Sequence, residues 1–203
     1  MAKVEFHFDY GSPNCYLSHR VIPDIEKRTG AKFEYVPILL GGVFKATNNQ
    51  SPMSAFKDVK NKLAYQQIEM KRFLTRYKLT RFSMNSHFPV NTLQIMRGTA
   101  GLVGKPSFME YVEALYRAMW EDSKKMDDPE VIVATLDNAG LDGKAFMALA
   151  QDAGAKALLL SNTEASVARG TFGAPTFFVD GEIYFGKDTL DAVERAIGSA
   201  KAA

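Results

Sequence analysis

A chain of 203 residues with 46% hydrophobic and 24% charged residues has the composition of a soluble globular protein with one sizeable core. Its net charge of +2 is too small to argue for nucleic-acid or membrane-surface binding. The single cysteine, Cys15, excludes an internal disulfide, the N-terminus has no signal-type apolar core, and no apolar run approaches the ~20 residues that span a bilayer, so a cytoplasmic protein is expected.

In chain order, residues 3–9 alternate roughly between apolar and polar and are rich in aromatic and β-branched types, which predicts a strand. Pro13 stands where a first helical turn tolerates a missing N–H. Residues 14–29 then carry Leu17, Val21 and Ile25 at helical spacing up to Gly30, although Pro23 predicts a kink or a break. Residues 32–38 read as a second strand, which completes a βαβ unit. Gly41-Gly42 is expected to open a loop that runs to about Pro52. Helical patterns follow at Phe56–Tyr77, at Asn91–Val103 beyond a loop, and from Pro106 through Trp120. Asp127-Asp128-Pro129-Glu130 is a helix start, and Gly140 ends that helix. Two short helices are expected at Lys144–Ala150 and Thr163–Ala168. Thr176–Val179 and Glu182–Phe185 are strands joined by an Asp180-Gly181 hairpin turn, and Asp188–Ala203 is a terminal helix.

The candidate chemistry starts at the first strand–helix junction, Gly11-Ser12-Pro13-Asn14-Cys15. This junction is where a thioredoxin-like domain carries its C-x-x-C dithiol. Here Ser12 takes the first sulfur's place, so dithiol redox chemistry is ruled out. The order βαβ, many helices, ββα resembles the same fold: an α/β thioredoxin-like domain (1–45 and 166–203) with a mixed sheet, interrupted by an inserted helical domain (46–165). Ser12, at a helix N-terminus, is placed either to stabilise a thiolate ligand or simply to cap the helix. Cys15 reads as a reactive thiol or as a small buried hydrophobe. Pro175, directly before a buried strand, reads as a cis-proline that exposes the backbone of Ala174 to an extended ligand, or as an ordinary strand-start proline. Asp188 and Thr189, at the start of the last helix, read as a carboxylate or amine site, or as plain capping. Lys62 by its spacing is a solvated lysine. The three histidines, His7, His19 and His87, have no metal-ligand spacing, and no metal is expected.

With these residues on the page, the chain resembles the family of 2-hydroxychromene-2-carboxylate isomerases and kappa-class glutathione transferases, in the DsbA-like branch of the thioredoxin superfamily. The resemblance covers nearly the whole chain. It rests on Phe8-Asp9-Tyr10-Gly11-Ser12-Pro13 with Tyr16-Leu17, Leu39 to Thr47, Lys60 to Tyr65, Phe88-Pro89-Val90-Asn91, Gly173 to Phe178, and Phe185-Gly186-Lys187-Asp188. It implies glutathione as cofactor, with Ser12 as the catalytic residue facing its sulfur. Asn49 and Lys62 would hold the tripeptide, with Lys62 near the glycyl carboxylate. Ala174, before Pro175, would pair with the cysteinyl backbone, and Asp188 and Thr189 would bind the γ-glutamyl end. Asn91 and Trp120 would lie near an aromatic-acid substrate, whose carboxylate Lys45 or Lys62 would meet. The chain departs from the family at Ala174, where a larger aliphatic is usual, and at Phe185 and Thr189, where Trp and Arg are common. The Phe-Pro-Val-Asn stretch favours the isomerase side. The expected activity is glutathione-dependent cis–trans isomerisation by reversible thiolate addition, in a homodimer. The alternatives are a kappa-type transferase, a non-catalytic peptide-binding module and a monothiol redox protein acting through Cys15.

Overall fold

The computed structural model describes residues 2–199, so residues 200–203 of the expected terminal helix lie outside it. In order, the elements are β1 (Val4–Phe8), α1 (Pro13–Thr29), β2 (Phe33–Pro37), α2 (Leu40–Thr47), α3 (Pro52–Ala55), α4 (Lys62–Arg76), α5 (Leu93–Ala100), α6 (Phe108–Trp120), α7 (Pro129–Asn138), α8 (Gly143–Gln151), α9 (Ala153–Ala168), β3 (Thr176–Val179), β4 (Glu182–Phe185), a 3-10 turn (Lys187–Thr189) and α10 (Leu190–Ser199). The sheet order is β2-β1-β3-β4. β1 runs parallel to β2 and antiparallel to β3, and β3 pairs antiparallel with β4, which is the mixed pairing expected. Asp180 and Gly181 both have positive φ, 49° and 93°, as a two-residue hairpin of the I′ kind requires.

The alternation along β1 does not mark a solvent face, because every residue of the strand is buried. Phe6 and Phe8 stack on each other and lie edge-on to Tyr35, while Phe6 also stacks on Phe177. Between them stand Glu5, His7 and Asp9, each no more than 6% exposed. Most of their polar atoms are met by partners from distant segments, as buried polar groups require, while His7 Nε2 has no hydrogen-bond partner among the described residues. Glu5 pairs with Arg169 at the end of α9, and His7 Nδ1 lies 2.8 Å from Ser166 Oγ of that helix.

Four local expectations change. α1 runs unbroken through Pro23, whose side is exposed while Val21, Ile22 and Ile25 around it are buried and hold the helix. The expected loop at Gly41-Gly42 is instead helix α2. Its first amide, Leu40 N–H, donates to Asp9 Oδ2 at 2.8 Å, and Leu39 N–H donates to Thr163 Oγ1 at 2.9 Å. This tertiary anchoring outweighs the roughly 1 kcal/mol helix cost of each glycine. The short helix expected at Thr163–Ala168 is the end of α9, which begins ten residues earlier on an Asp152 cap. α4 starts only at Lys62, after Asn61 in a left-handed conformation at φ 69°. One hydrophobic cluster runs from Val4 and Phe6 through Met96, Leu115 and Trp120 to Ile197, and the boundaries at 45/46 and 165/166 fall inside α2 and α9.

Candidate active site

Ser12 is the N-cap of α1, with extended backbone at φ −96° and ψ 117°. Its oxygen accepts from Cys15 N–H at 3.4 Å, and its O–H donates to the Ala174 carbonyl at 2.9 Å. A hydroxyl carries one proton and two lone pairs, so capping and the contact across to Ala174 coexist. The turn is held from below. Trp120 Nε1–H donates to Tyr10 C=O at 2.8 Å, and Gly11 N–H donates to Asp9 Oδ1 at 2.8 Å.

The Ala174–Pro175 bond is cis. The β1–β3 ladder ends at the His7–Thr176 pair, short of Ala174, and no described group takes the Ala174 N–H. This leaves a donor and a half-used carbonyl on Ala174. Pro175 C=O accepts from Gly186 N–H at 2.9 Å. Gly186 C=O in turn accepts from Thr189 O–H at 2.8 Å, so the turn carrying Asp188 and Thr189 is tied to the proline. The exposed Asp188 carboxylate is held by buried Lys187 Nζ at 2.5 and 2.7 Å, and that ammonium lies 4.9 Å from the centre of the Phe73 ring on α4. Asn49 Nδ2–H donates to Phe172 C=O at 2.8 Å, joining the segment after α2 to the proline loop. That loop is also braced by a buried chain: Ser166 Oγ–H donates to Thr171 Oγ1 at 2.7 Å and Thr176 O–H to Gly173 C=O at 2.8 Å.

Ser12, Ala174, Pro175, Asp188 and Thr189 are therefore linked through a few bonds, with Asn49 joined to the same loop at Phe172. The other expected residues are placed differently. Lys45 is exposed on the last turn of α2, and Lys62, exposed at the start of α4, has its ammonium 5.3 Å from the Phe56 ring centre. No described bond joins either lysine to Ser12. Asn91 is exposed and its Oδ1 accepts from Leu93 N–H at 3.0 Å. Trp120 is 0% exposed, stacked on Phe82 and tilted on Phe88, so it supports the Ser12 turn from within the core and presents no face to a ligand. Cys15 is fully buried, and burial pushes its thiol up to about 12, which suits an inert core thiol.

Sequence reasoning missed Asp9 and Thr92. Asp9 is 2% exposed and also accepts from Thr92 O–H at 2.7 Å. An acid at the end of a strand followed by an aromatic, glycine and serine was the available signal, but its partners, residues 40 and 92, are remote in the chain. Among the described residues, no group of three or more His, Cys, Asp or Glu side chains is placed to hold a metal ion, and no helix is long and apolar enough to cross a membrane.

A mixed four-stranded sheet, a helix N-terminus capped by a hydroxyl, and a cis-proline facing it define a thioredoxin-type domain whose reactive position holds oxygen in place of sulfur. The pattern of the DSBA-like thioredoxin domain matches residues 3–198, and the chain belongs to that family. It is similar to the 2-hydroxychromene-2-carboxylate isomerase of Sphingobium xenophagum, 27% identical over 193 residues, covering 94% of this chain and 95% of that protein. It is also similar to glutathione S-transferase kappa 1 of Rattus norvegicus, 25% identical over 206 residues, with 96% and 90% covered. A solved 2-hydroxychromene-2-carboxylate isomerase superposes with a TM-score of 0.83 at 25% identity, over 97% of this chain and 95% of that one.

Proposed function

We propose that the chain is a glutathione-dependent cis–trans isomerase of aromatic acids of the 2-hydroxychromene-2-carboxylate type. One observation carries this: the Ser12 hydroxyl sits 2.9 Å from the Ala174 carbonyl, at the N-terminus of a 17-residue helix with no acidic residue in its first turn. The residues present fit a γ-glutamyl tripeptide. The free Ala174 N–H offers a donor to an extended main chain. The Asp188 carboxylate and Thr189 hydroxyl offer acceptors to an ammonium group, and the exposed Lys62 and Asn49 suit a carboxylate. Bound there, glutathione supplies a thiolate whose reversible addition to a carbon–carbon double bond frees rotation about it.

The chain's own part is electrostatic. The amide dipoles at the start of α1 favour an anion by about 0.3–1 kcal/mol. The Ser12 O–H, swung from Ala174 onto a sulfur, adds a hydrogen bond to a charged acceptor worth about 1.5–3 kcal/mol. The exposed Lys45 and the exposed Asn91 amide are the groups assigned to the carboxylate and the body of the aromatic acid. The resemblance read from the sequence extends to a cytoplasmic homodimer; light scattering is expected to give twice the chain mass, and a one-chain mass counts against it.

A kappa-type glutathione transferase is the second reading, favoured by the similarity to the rat protein of that name. The test is calorimetric titration with glutathione of the wild type and Ser12→Ala, with the thiolate followed by its ultraviolet absorbance. Bound thiol is expected to ionise at lower pH than free glutathione, and Ser12→Ala to raise that pKa by about 1–2 units. Total glutathione should stay constant during turnover of an unsaturated aromatic acid. Steady loss of thiol to an electrophile instead favours the transferase. No glutathione binding sinks both and leaves a peptide-binding module.

A further inference from the structure

Asp9 is a buried acid that the chemistry proposed above does not use, yet it meets three parts of the chain at the Ser12 turn. Gly11 N–H and Thr92 O–H donate to its Oδ1 at 2.8 and 2.7 Å, and Leu40 N–H donates to its Oδ2 at 2.8 Å. Its main-chain oxygen accepts from Ser12 N–H at 3.2 Å. The turn is closed tightly over it: a Cβ on Gly11 would stand 3.3 Å from Thr92 Cγ2 and 3.4 Å from Asp9 Oδ1. Two amides and a hydroxyl all present hydrogen, which suits an anion. Among the described residues no cation contributes: burial, the largest cause, pushes the Asp9 carboxyl up, and the Gly11 and Leu40 amides and the Thr92 hydroxyl pull it back down, an arrangement that costs stability relative to an apolar residue.

The titratable groups that feel this carboxylate are Tyr10 in the turn after β1, Cys15 on α1 and Tyr116 on α6. Burial is the cause that pushes all three above their ordinary values, with the Asp9 carboxylate a smaller raising contribution to each, so they are neutral near pH 7. α2 and α5 present only the Leu40 amide and, at the cap of α5, the Thr92 hydroxyl. Among the described residues, Asp9 is thus the acid directly beneath the Ser12 turn.

We infer that Asp9 is a positioning residue of this site: its carboxylate locks the Ser12 turn to the starts of α2 and α5, and its charge opposes ionisation of a thiol bound at Ser12. The inference rests on the glutathione reading above. It has a chemical reason. A helix N-terminus and a hydroxyl both lower a thiol's pKa, but nucleophilicity falls as the pKa falls, and the best attacking thiol ionises near the ambient pH. A fixed negative charge under the turn offsets part of that lowering.

The experiment is the pH titration of bound thiolate absorbance in wild type and Asp9→Asn. Asp9→Asn is expected to lower the bound thiol's pKa by about one pH unit, as for charges roughly 10 Å apart at an effective dielectric of about 20. It is also expected to raise KM for glutathione several-fold, since an amide turns hydrogens toward at least one donor. A purely structural role weakens binding and leaves the thiol pKa unchanged or higher; that result overturns the inference. Wild type that binds no glutathione overturns the glutathione reading itself. Should Asp9→Asn not fold, the Asp9 carboxyl carbon resonance is titrated in wild type. With glutathione sulfonate, which carries a permanent negative charge at the sulfur, Asp9 should ionise about one pH unit higher than with S-methylglutathione, whose sulfur is uncharged, and equal values again overturn the inference.

Discussion

Trp120 acts on the site without touching any surface. Its indole N–H holds the Tyr10 carbonyl two residues before Ser12, and its ring fills the space between Phe82 and Phe88. Trp120→Phe keeps part of the ring stack but strands that carbonyl and leaves a void. An expected loss of about 1–3 kcal/mol follows, read from the urea midpoint. His7 gives a pH signature. Burial holds it down to about 4, while its Nδ1 stays bonded to Ser166 Oγ. Its folded pKa is below the unfolded value, so the unfolded chain takes up the proton first. Stability contributed by neutral His7 is complete above about pH 6.5 and is lost as pH falls toward 4, by at most about 3 kcal/mol. His19, also buried, moves the same way. His7→Asn, which keeps a donor toward Ser166, should lose less stability than wild type between pH 6.5 and 4; parallel slopes in urea midpoints across that range rule this out.

At the scale of elements, the close approach of α7 and α8 depends on one missing methyl. A Cβ on Gly143 would lie 2.6 Å from Val133 O and 2.7 Å from Val133 Cα, which are backbone atoms that yield only if the helices part. Gly143 N–H also donates to Asp137 Oδ1 at 2.9 Å, fixing the start of α8. Gly143→Ala, which would raise stability on an exposed helix, is expected here to cost about 1–3 kcal/mol; a thermal midpoint equal to or above wild type contradicts this. The same rule of packing over propensity explains α2, which forms over two glycines because Asp9 and Thr163 pin its start. It also explains α1, which passes Pro23 because residues on either side are buried.

Across the whole molecule, Glu121 joins the thioredoxin-like part to the helices inserted in it. Its side chain is 3% exposed. It pairs with Arg20 of α1, lies 2.8 Å from Arg81 Nη2, and accepts from Tyr16 O–H at 2.9 Å. Glu121→Gln removes the charge that both arginines face. The expected cost is about 2–3 kcal/mol, below the range for fully buried pairs because Arg20 and Arg81 keep contact with solvent; chemical denaturation of the two proteins side by side measures it. The strands at residues 176–179 and 182–185, their hairpin, the αL glycine after Thr29 and the serine at the first strand–helix turn were all legible in the sequence, because each depends on neighbours a few residues away. Ser12, Ala174 and Asp188 could be picked out one at a time as a cap, a proline neighbour and a helix start. Their meeting through Pro175 and Gly186 could not, since no local rule fixes distances across 162 residues. The alternation along β1 left open which way its polar side points, and only the packing of α9 made it an interior face with partners for Glu5 and His7. The sequence by itself determined the fold family and the oxygen at residue 12, because backbone propensity and side-chain chemistry are local. Only the tertiary structure decided that Asp9 is a buried acid with three donors under that oxygen and that Trp120 is a support, because burial and hydrogen-bond satisfaction depend on segments that folding alone brings together.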